Sequence, residues 1–376
     1  MHRRIIMILA ATLALVLAAP VYAGPPDRAK GPDKGKKSKQ SQPIVPNDEY
    51  YELYQWGPKQ INAEEAWATA TGAGQVISIV DTGIDLDHPD LADKIVGGAT
   101  FTGCADSGPC GNGDWESGPP EAQEEGHHPH GTHVAGSAAA ITGNGIGIAG
   151  VAPEADMLAV KVLTNEGGSF EEIAAGIRWS VDNGADVINM SLGALPGVQA
   201  LTITGLISET REAVDYAVSK GVVVVAAAGN DFASICGEPA FDSDVLCVVA
   251  TDRLENKASY SNFALDESAT NVVAGPGGAA FLACEEDIIS TVPEEAGGFC
   301  TDNVGTPGYD FYAGTSMATP HVAGVAALLT GQGRDREEVE SVLKSTARTP
   351  GVGTRGTYTP VYGFGIVDAL EAVSAP

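Results

Sequence analysis

The chain has 376 residues, 44% of them hydrophobic, and a formal net charge of −28 at pH 7. Residues 1–45 carry eight Lys or Arg and two Asp or Glu, so the remainder has 13 basic and 47 acidic residues, or −34. A surface this acidic is repelled by nucleic acid and by anionic membranes, and we expect neither as a partner. The length allows one large α/β domain.

The first 45 residues are set apart by their composition. His2, Arg3 and Arg4, an apolar run over 5–19 and a small-residue site at Val21–Ala23 predict a secretory signal peptide over 1–23. The apolar run is too short to span a membrane. Residues 24–45 are rich in Lys, Pro, Gly, Ser and Gln, which predicts a disordered basic linker or a short propeptide. A secreted, extracellular domain over 46–376 remains.

The first predicted strand is Val76–Val80, an apolar run rich in β-branched residues that is typical of a buried parallel strand. Asp81 follows at its carboxyl end, before Thr82 and Gly83. Open α/β sheets place their chemistry at this end of their strands, so Asp81 is a candidate functional carboxylate. An aspartate that only begins a turn would give the same pattern.

A helix is predicted to begin at His130, in HGTHVAG, and to pack closely through its Gly and Ala residues. Because His127, His128, His130 and His133 lie close together, a zinc site is an alternative. It is not favoured, since the chain has no HExxH motif and Pro129 interrupts the spacing. For any single histidine, an ordinary core or surface position remains open.

A glycine-rich loop over 142–153, TGNGIGIAGVAP, follows this helix. Its Gly145-x-Gly147-x-x-Gly150 matches a dinucleotide-binding fingerprint by letter. That fingerprint must open a helix, whereas a strand, Met157–Leu163, is predicted next. We therefore expect no dinucleotide cofactor.

Strands and helices alternate along the rest of the chain. This order predicts an α/β fold of three layers, with a mostly parallel central sheet and helices on both faces. The further strands are Val187–Met190, Val222–Ala226 and Val245–Ala250, and the helices are Glu171–Asn183, Ser208–Lys220, Ser316–Thr330 and Glu337–Ala347.

Ser316 stands at the start of a buried helix, in GTSMATPHVAGVAALL. Unpaired backbone N–H groups and the helix dipole favour negative charge there, which suits a hydroxyl that carries developing charge in a reaction. Serine is also an ordinary N-cap residue, so the position alone leaves both roles open.

Four motifs together resemble the subtilisin family of serine peptidases, in that family's order. They are VDTGID around Asp81, HGTHVAG at His130, AAAGN ending at Asn230 and GTSMATPHVAG around Ser316. The resemblance runs from Asp48 to the C-terminus, and the segment over 47–67 is most similar to the thermitase branch. It implies a subtilisin-like fold and a secreted serine endopeptidase that forms an acyl-enzyme.

The resemblance also implies a role for each motif residue. A serine hydroxyl needs an adjacent base, so His130 would take the proton of Ser316 and return it to the leaving amine. Asp81 would hold the imidazole in the required tautomer. The side-chain NH2 of Asn230 and the backbone N–H of Ser316 would bind the oxyanion. The first histidine of HGTH is the catalytic one in this family, which selects His130 over His133. Asn230 argues against the related acid-active peptidases, which carry Asp there.

Two edges are implied to hold the peptide substrate as an added strand. The residues are Ser191, Leu192 and Gly193 on one edge, Gly167 and Gly168 before Ser169 on the other, and Ala228 and Gly229 for the side chain before the scissile bond. Asp231 would favour basic side chains near that pocket. Each glycine could equally mark a plain turn.

A structural calcium ion is implied at the loop that follows the His130 helix, because hard cations take oxygen ligands. The implied ligands are carboxylates of Asp48 and Asp90, the side-chain oxygen of Asn144, and backbone oxygens of Thr142, Ile146 and Ile148. The alternative is a glycine-rich surface loop with no ion.

Six cysteines in a secreted chain suggest three disulfides, with fifteen possible connectivities. We favour sequential pairing because each pair brackets one loop between motifs. The pairs are Cys104 with Cys110, Cys236 with Cys247, and Cys284 with Cys300.

The sequence therefore predicts a monomeric serine endopeptidase that acts on proteins or peptides. One alternative is a catalytically inactive binding protein of the same fold, and another is an esterase or transpeptidase with the same triad. A departure from the family pattern is the short stretch between signal and domain, where many subtilisins carry a folded inhibitory prodomain.

Overall fold

Parallel strands form the centre of the protein, described here from a computed structural model. They are β1 (Val76–Asp81), β2 (Ile95–Thr100), β3 (Asp156–Lys161), β4 (Val187–Met190), β5 (Val223–Ala227), β6 (Leu246–Thr251) and β7 (Asn271–Pro276). Their order in the sheet is β2-β3-β1-β4-β5-β6-β7, and every neighbouring pair is parallel. A separate antiparallel pair joins β8 (Ile288–Thr291) to β9 (Tyr309–Tyr312).

The structure describes residues 44–120, 123, 126–194, 208–265, 271–280, 283–296, 300 and 304–376. The predicted signal peptide and residues 24–43 of the predicted linker lie outside these ranges, whereas the described residues all belong to one unit, Ser38–Pro376. The helices are α1 (Trp56–Gln60), α2 (Ala63–Ala66), α3 (His130–Ala139), α4 (Phe170–Asp182), α5 (Glu209–Ser219), α6 (Thr315–Gly331), α7 (Arg336–Thr346) and α8 (Ala369–Ser374).

Alternate side chains of β1 point to opposite faces of the sheet. Ser78 faces α4, where its Oγ lies 2.7 Å from the Oγ of Ser180. Asp81 faces α3, which approaches so closely that a Cβ on Gly131 would lie 2.3 Å from the carbonyl oxygen of Gly83. Helices therefore cover both faces, and the predicted three-layer α/β fold is confirmed.

The predicted strands and helices are observed within one or two residues of their expected ends, but four strands were not predicted. In β2 the sequence IVGGAT carries two glycines, which obscure the β-branched pattern. Gly98 is required there, because a Cβ would lie 2.0 Å from the carbonyl oxygen of Asn112. The strands β7, β8 and β9 are short or interrupted by Gly-Pro, and carry no clear period.

A proline inside α6 links this helix to the end of β4. Pro320 has no N–H to donate to the carbonyl of Ser316, four residues earlier. The Oγ of Ser191 donates to that carbonyl instead, at 2.7 Å. The N-terminus of α6 is therefore fixed against the strand end that carries Ser191.

The structure has disulfides between Cys104 and Cys110, Cys236 and Cys247, and Cys284 and Cys300, the sequential pairing. Among the described residues, no helix combines the length and apolar character needed to cross a bilayer.

Candidate active site

The predicted site residues meet at the carboxyl edge of the parallel sheet. Asp81 ends β1, Ser191 follows β4, and Asn230 comes three residues after β5. The N-termini of α3 and α6 bring His130 and Ser316 to the same edge. His130, Asn230 and Ser316 line one open cavity of about 600 Å3, which we call the leaving-side cavity; His128, Asp287, Phe311, Tyr312 and Ala313 also line it.

The imidazole of His130 is held by the carboxylate of Asp81. Its Nδ1 lies 2.7 Å from Oδ1 of Asp81, which also accepts from the backbone N–H of Thr82 at 2.7 Å. A carboxylate can only accept, so Nδ1 carries the proton and Nε2 is left as an acceptor. Burial would lower the pKa of His130, but the charge and hydrogen bond of Asp81 outweigh it and raise the pKa above 6.5.

Thr82 fixes the strand end of Asp81 to the start of α3, a role that the motif analysis missed. Its Oγ1 donates to the carbonyl of His128 at 2.8 Å and accepts from the N–H of Gly131 at 2.9 Å. These two bonds bracket His130 on either side. The adjacency of Thr82 to Asp81 is the only sequence signal for this contact.

The hydroxyl of Ser316 donates to the backbone carbonyl of Ser191, at 3.2 Å, and not to His130. Serine and imidazole nevertheless line the same cavity. Catalytic hydrogen bonds are often long or misaligned without substrate and tighten when it binds. The structure thus brings the three predicted triad residues to one place, with the Asp–His contact formed.

Asn230 is oriented by Thr315, the residue before Ser316. Its Oδ1 accepts from the backbone N–H of Thr315 at 2.9 Å and from the Thr315 hydroxyl at 3.0 Å. With its oxygen so occupied, the exposed Asn230 side chain leaves its NH2 group as a donor at the cavity. Gly229 precedes it with φ +103°, where a Cβ would lie 2.4 Å from Nδ2 of Asn262.

His133 lies away from the cavity lining, on the buried side of α3. Its ring stacks on Tyr312 with the centroids 4.5 Å apart, and its Nε2 lies 3.0 Å from the carbonyl oxygen of Ile288. Burial and, after it, the neighbouring His130 together lower its pKa to about 3. A neutral, packed ring of this kind stabilises the core.

The two predicted substrate edges line a second cavity, of about 620 Å3, that also reaches Ser316. It is bounded by Gly167, Gly168, Ser191, Leu192 and Gly193, with the apolar side chains of Leu163, Phe170 and Ile173. We call it the edge cavity.

The segment Gly167–Ser169 is not an extended strand. The backbones of Gly167 and Thr164 hydrogen-bond to each other in a tight turn, and Ser169 caps α4 in a capping box with Glu172. The requirement for a helix cap at Ser169 explains why the expected extended edge is shortened. Ala228 is fully buried and, like Gly229, is not among the residues that line either cavity.

The predicted calcium ligands converge at the loop after α3. The Asp48 carboxylate accepts from the N–H of Gly143, and the Asp90 carboxylate accepts from Asn144 Nδ2 and from the N–H of Ile148. Burial, with a smaller contribution from the charge of Asp48, raises the pKa of Asp90 to about 6 despite the hydrogen bonds that it accepts. No described residue donates to the carbonyl oxygens of Thr142, Ile146 or Ile148.

Within the described ranges, no group of three or more His, Cys, Asp or Glu side chains is placed to hold a metal ion. The loop instead offers two buried carboxylates beside carbonyl oxygens without donors. This mixture is the kind that calcium accepts.

The comparisons agree with this geometry. Residues 72–365 match the model of the subtilase family, so the chain belongs to that family and is a subtilisin-like serine protease. Thermitase of Thermoactinomyces vulgaris is 41% identical over 88% of this chain and 99% of its own length. Subtilisin BL of Lederbergia lenta is 37% identical over 84% and 97%. A solved structure of proteases from Pseudoalteromonas arctica aligns with TM-score 0.70 and 36% identity, over 88% of this chain and 99% of that one.

Proposed function

We propose that Asp81, His130 and Ser316 form the catalytic triad of a secreted endopeptidase. His130, whose Nε2 is an acceptor, takes the Ser316 proton as Oγ attacks the peptide carbonyl, and gives it to the leaving amine. The Asp81 carboxylate stabilises the imidazolium that forms. The single observation that carries this proposal is the 2.7 Å contact between His130 Nδ1 and Asp81 Oδ1 at a cavity shared with Ser316.

The oxyanion of the tetrahedral intermediate is bound by the NH2 group of Asn230 and the backbone N–H of Ser316. The two bonds from Thr315 orient the Asn230 amide before substrate arrives, which is the condition for stabilising charge that develops in the transition state. Breakdown of the intermediate releases the amine and leaves an acyl group on Ser316. Water then attacks this acyl group, with His130 accepting its proton and returning it to Ser316 Oγ, and the carboxylic acid is released.

The peptide lies in the edge cavity as an added strand that pairs with Ser191–Gly193, while Gly167 and Gly168 form the opposite wall. The residues before the scissile bond, which form the acyl group, occupy this cavity. The residues after the scissile bond, which form the leaving amine, lie in the leaving-side cavity. An extended peptide supplies the backbone N–H and C=O groups that such edges pair with. This favours protein and peptide substrates over simple esters.

Calcium stabilises the loop after α3, held by Asp48, Asp90 and Asn144 with the backbone oxygens of Thr142, Ile146 and Ile148. A bound divalent cation would offset the repulsion between the two carboxylates. We also propose export of the protein through residues 1–23, a linker over 24–45 and a monomeric catalytic domain over 46–376. The acidic composition of that domain and its six disulfide-bonded cysteines support an extracellular location.

A serine-directed fluorophosphonate tests the triad directly. We expect a single covalent adduct that peptide mapping locates on Ser316, together with digestion of casein. Ser316→Ala should remove both the labelling and about 10^6-fold of kcat, the size known for this change in subtilisin itself, with the melting curve almost unchanged. Retained proteolysis in this variant would contradict the nucleophile assignment, and turnover of simple esters without cleavage of any peptide would favour the esterase alternative.

A further inference from the structure

The leaving-side cavity contains a carboxylate without a cationic partner. Asp287 lines this cavity and is only 8% exposed. Its Oδ1 accepts from the backbone N–H groups of Ala279 and Ala280 at 2.9 and 2.8 Å. No described residue donates to its Oδ2, and no described Lys or Arg forms an ion pair with it; the nearby Arg253 pairs with Glu286.

The antiparallel pair β8–β9 brings Asp287 close to the nucleophile. Ile288 is opposite Tyr312 in this pair, so Asp287 is next to Ala313, three residues before Ser316. A Cβ built on Gly278 would lie 3.1 Å from the Cβ of Ala313 and 3.0 Å from Oδ1 of Asp287. The carboxylate and the backbone that leads to Ser316 therefore lie side by side.

Two aromatic rings of the cavity wall are held in place by neighbouring rings. Phe311 packs edge-on against Tyr54, and Tyr312 stacks on the buried ring of His133. The other groups here that can carry charge are His128 and His130. Burial lowers the pKa of His128, and the neighbouring His130 lowers it further. Among the described residues that line this cavity, Asp287 is therefore the one negatively charged group at neutral pH.

A carboxylate this deeply placed is costly unless a positive group meets it. Lys and Arg side chains fit such a cavity, because their apolar stems cover ring surfaces while the charged head reaches a carboxylate. We propose that the leaving-side cavity binds a lysine or arginine side chain of the substrate, located after the scissile bond, with its head at Asp287 Oδ2. This inference rests on the proposed function.

Internally quenched peptides test the proposal. They share one acyl part and carry Lys, Arg, norleucine or Asp at the first or second position after the scissile bond. Norleucine keeps the lysine stem without its charge. At one of these positions we expect kcat/KM about tenfold higher for Lys or Arg than for norleucine, and lowest for Asp.

Asp287→Asn is the informative variant, because an amide oxygen can still accept from Ala279 and Ala280. In this variant we expect the ratio of kcat/KM for the Lys peptide to kcat/KM for the norleucine peptide to fall to within about twofold of unity. Cleavage of the norleucine peptide should be retained. Glu285→Gln removes the same charge from an exposed position that lines neither cavity, and it should keep the wild-type ratio. An equal loss in both variants would mean that the overall negative charge attracts basic peptides, and would overturn the proposal.

Salt provides a second measurement that needs no variant. Raising ionic strength should lower kcat/KM for the Lys peptide and leave that for the norleucine peptide nearly unchanged. A wild-type ratio near unity, or a ratio unaffected by Asp287→Asn, refutes the basic subsite and leaves the triad standing. Failure of the wild-type protein to cleave any peptide refutes the proposed function itself.

Discussion

The two ends of α3 place buried carboxylates in opposite situations. At the N-terminus of α3, Oδ1 of Asp81 lies 2.7 Å from Nδ1 of His130, so this carboxylate has a partner within the chain. Beside the loop that follows the C-terminus of α3, Asp48 and Asp90 lie close enough for the charge of Asp48 to raise the pKa of Asp90. A carboxylate with an internal partner can orient a base, whereas paired carboxylates without one need a cation from outside.

The largest effect is expected from breaking the first arrangement. Asp81→Asn should lower kcat by about 10^4-fold, the magnitude known for loss of the triad carboxylate in serine proteases, subtilisin itself included. The amide can donate to Nδ1 and so favour the tautomer that has no acceptor at Nε2. Initial-rate kinetics on a casein-derived peptide would measure the loss.

The pH profile gives this prediction a distinct signature. His130 must be neutral to accept a proton, so activity falls as pH drops through its pKa, which lies above 6.5 in the wild type. Without the Asp81 charge, burial alone acts on His130 and the acidic limb should move below 6.5. An acidic limb that stays in place, with only the plateau lowered, would contradict Asp81 as the cause of the raised pKa.

This contrast also shows how far the sequence predicts the structure. The strand that ends at Asp81 and the strand that precedes Asn230 were predicted because buried parallel strands are continuous β-branched runs. The strand β2 was missed because Gly97 and Gly98 interrupt its β-branched pattern, and Gly98 serves a close approach of neighbouring backbone that no local pattern reveals.

Within the site, the motif residues could be predicted, but the groups that orient them could not. The orienting groups are Thr82, Thr315 and the hydroxyl of Ser191. Each forms a hydrogen bond to a residue far away in the sequence. For Ser191, the spacing of Ser316 and Pro320 is a usable sequence signal. The proline leaves the carbonyl of Ser316 without its helical donor, so another donor must meet it. Asp287 had no sequence signal, because its meaning depends on the register of β8 with β9.

The proposed calcium ion provides a test at the other end of α3. In a Ser316→Ala background, which prevents self-digestion, calcium at 100 times its Kd should stabilise the fold by about 2.7 kcal/mol relative to chelator. Differential scanning calorimetry with calcium or EDTA would show this as a rise in Tm of several degrees.

Matched variants locate the calcium effect. Asp48→Asn and Asp90→Asn should lose most of the calcium-dependent rise, since each removes a proposed ligand charge. Asp87→Asn removes the same charge from an exposed position on the same segment and should keep it. If chelation leaves Tm unchanged, the loop has no structural calcium.

The smallest expected effect concerns the hydrogen bonds from Thr315 that orient the side chain of Asn230. Thr315→Val keeps the side-chain shape but removes one of the two donors to Asn230 Oδ1, and it also takes the acceptor from the Gly229 N–H. The backbone N–H of Thr315 still holds Asn230, so kcat should fall by only about tenfold with KM nearly constant.

Thr319→Val is the control for Thr315→Val, because the Thr319 hydroxyl is equally buried in α6 and donates to the backbone carbonyl of Thr315. Both variants should lose similar thermal stability, but only Thr315→Val should lose kcat. In an Asn230→Ala background Thr315→Val should have almost no further effect on kcat, because its action passes through the Asn230 amide. Additive losses would show that Thr315 acts on the reaction by another route, and that the oxyanion donor is oriented by the backbone alone.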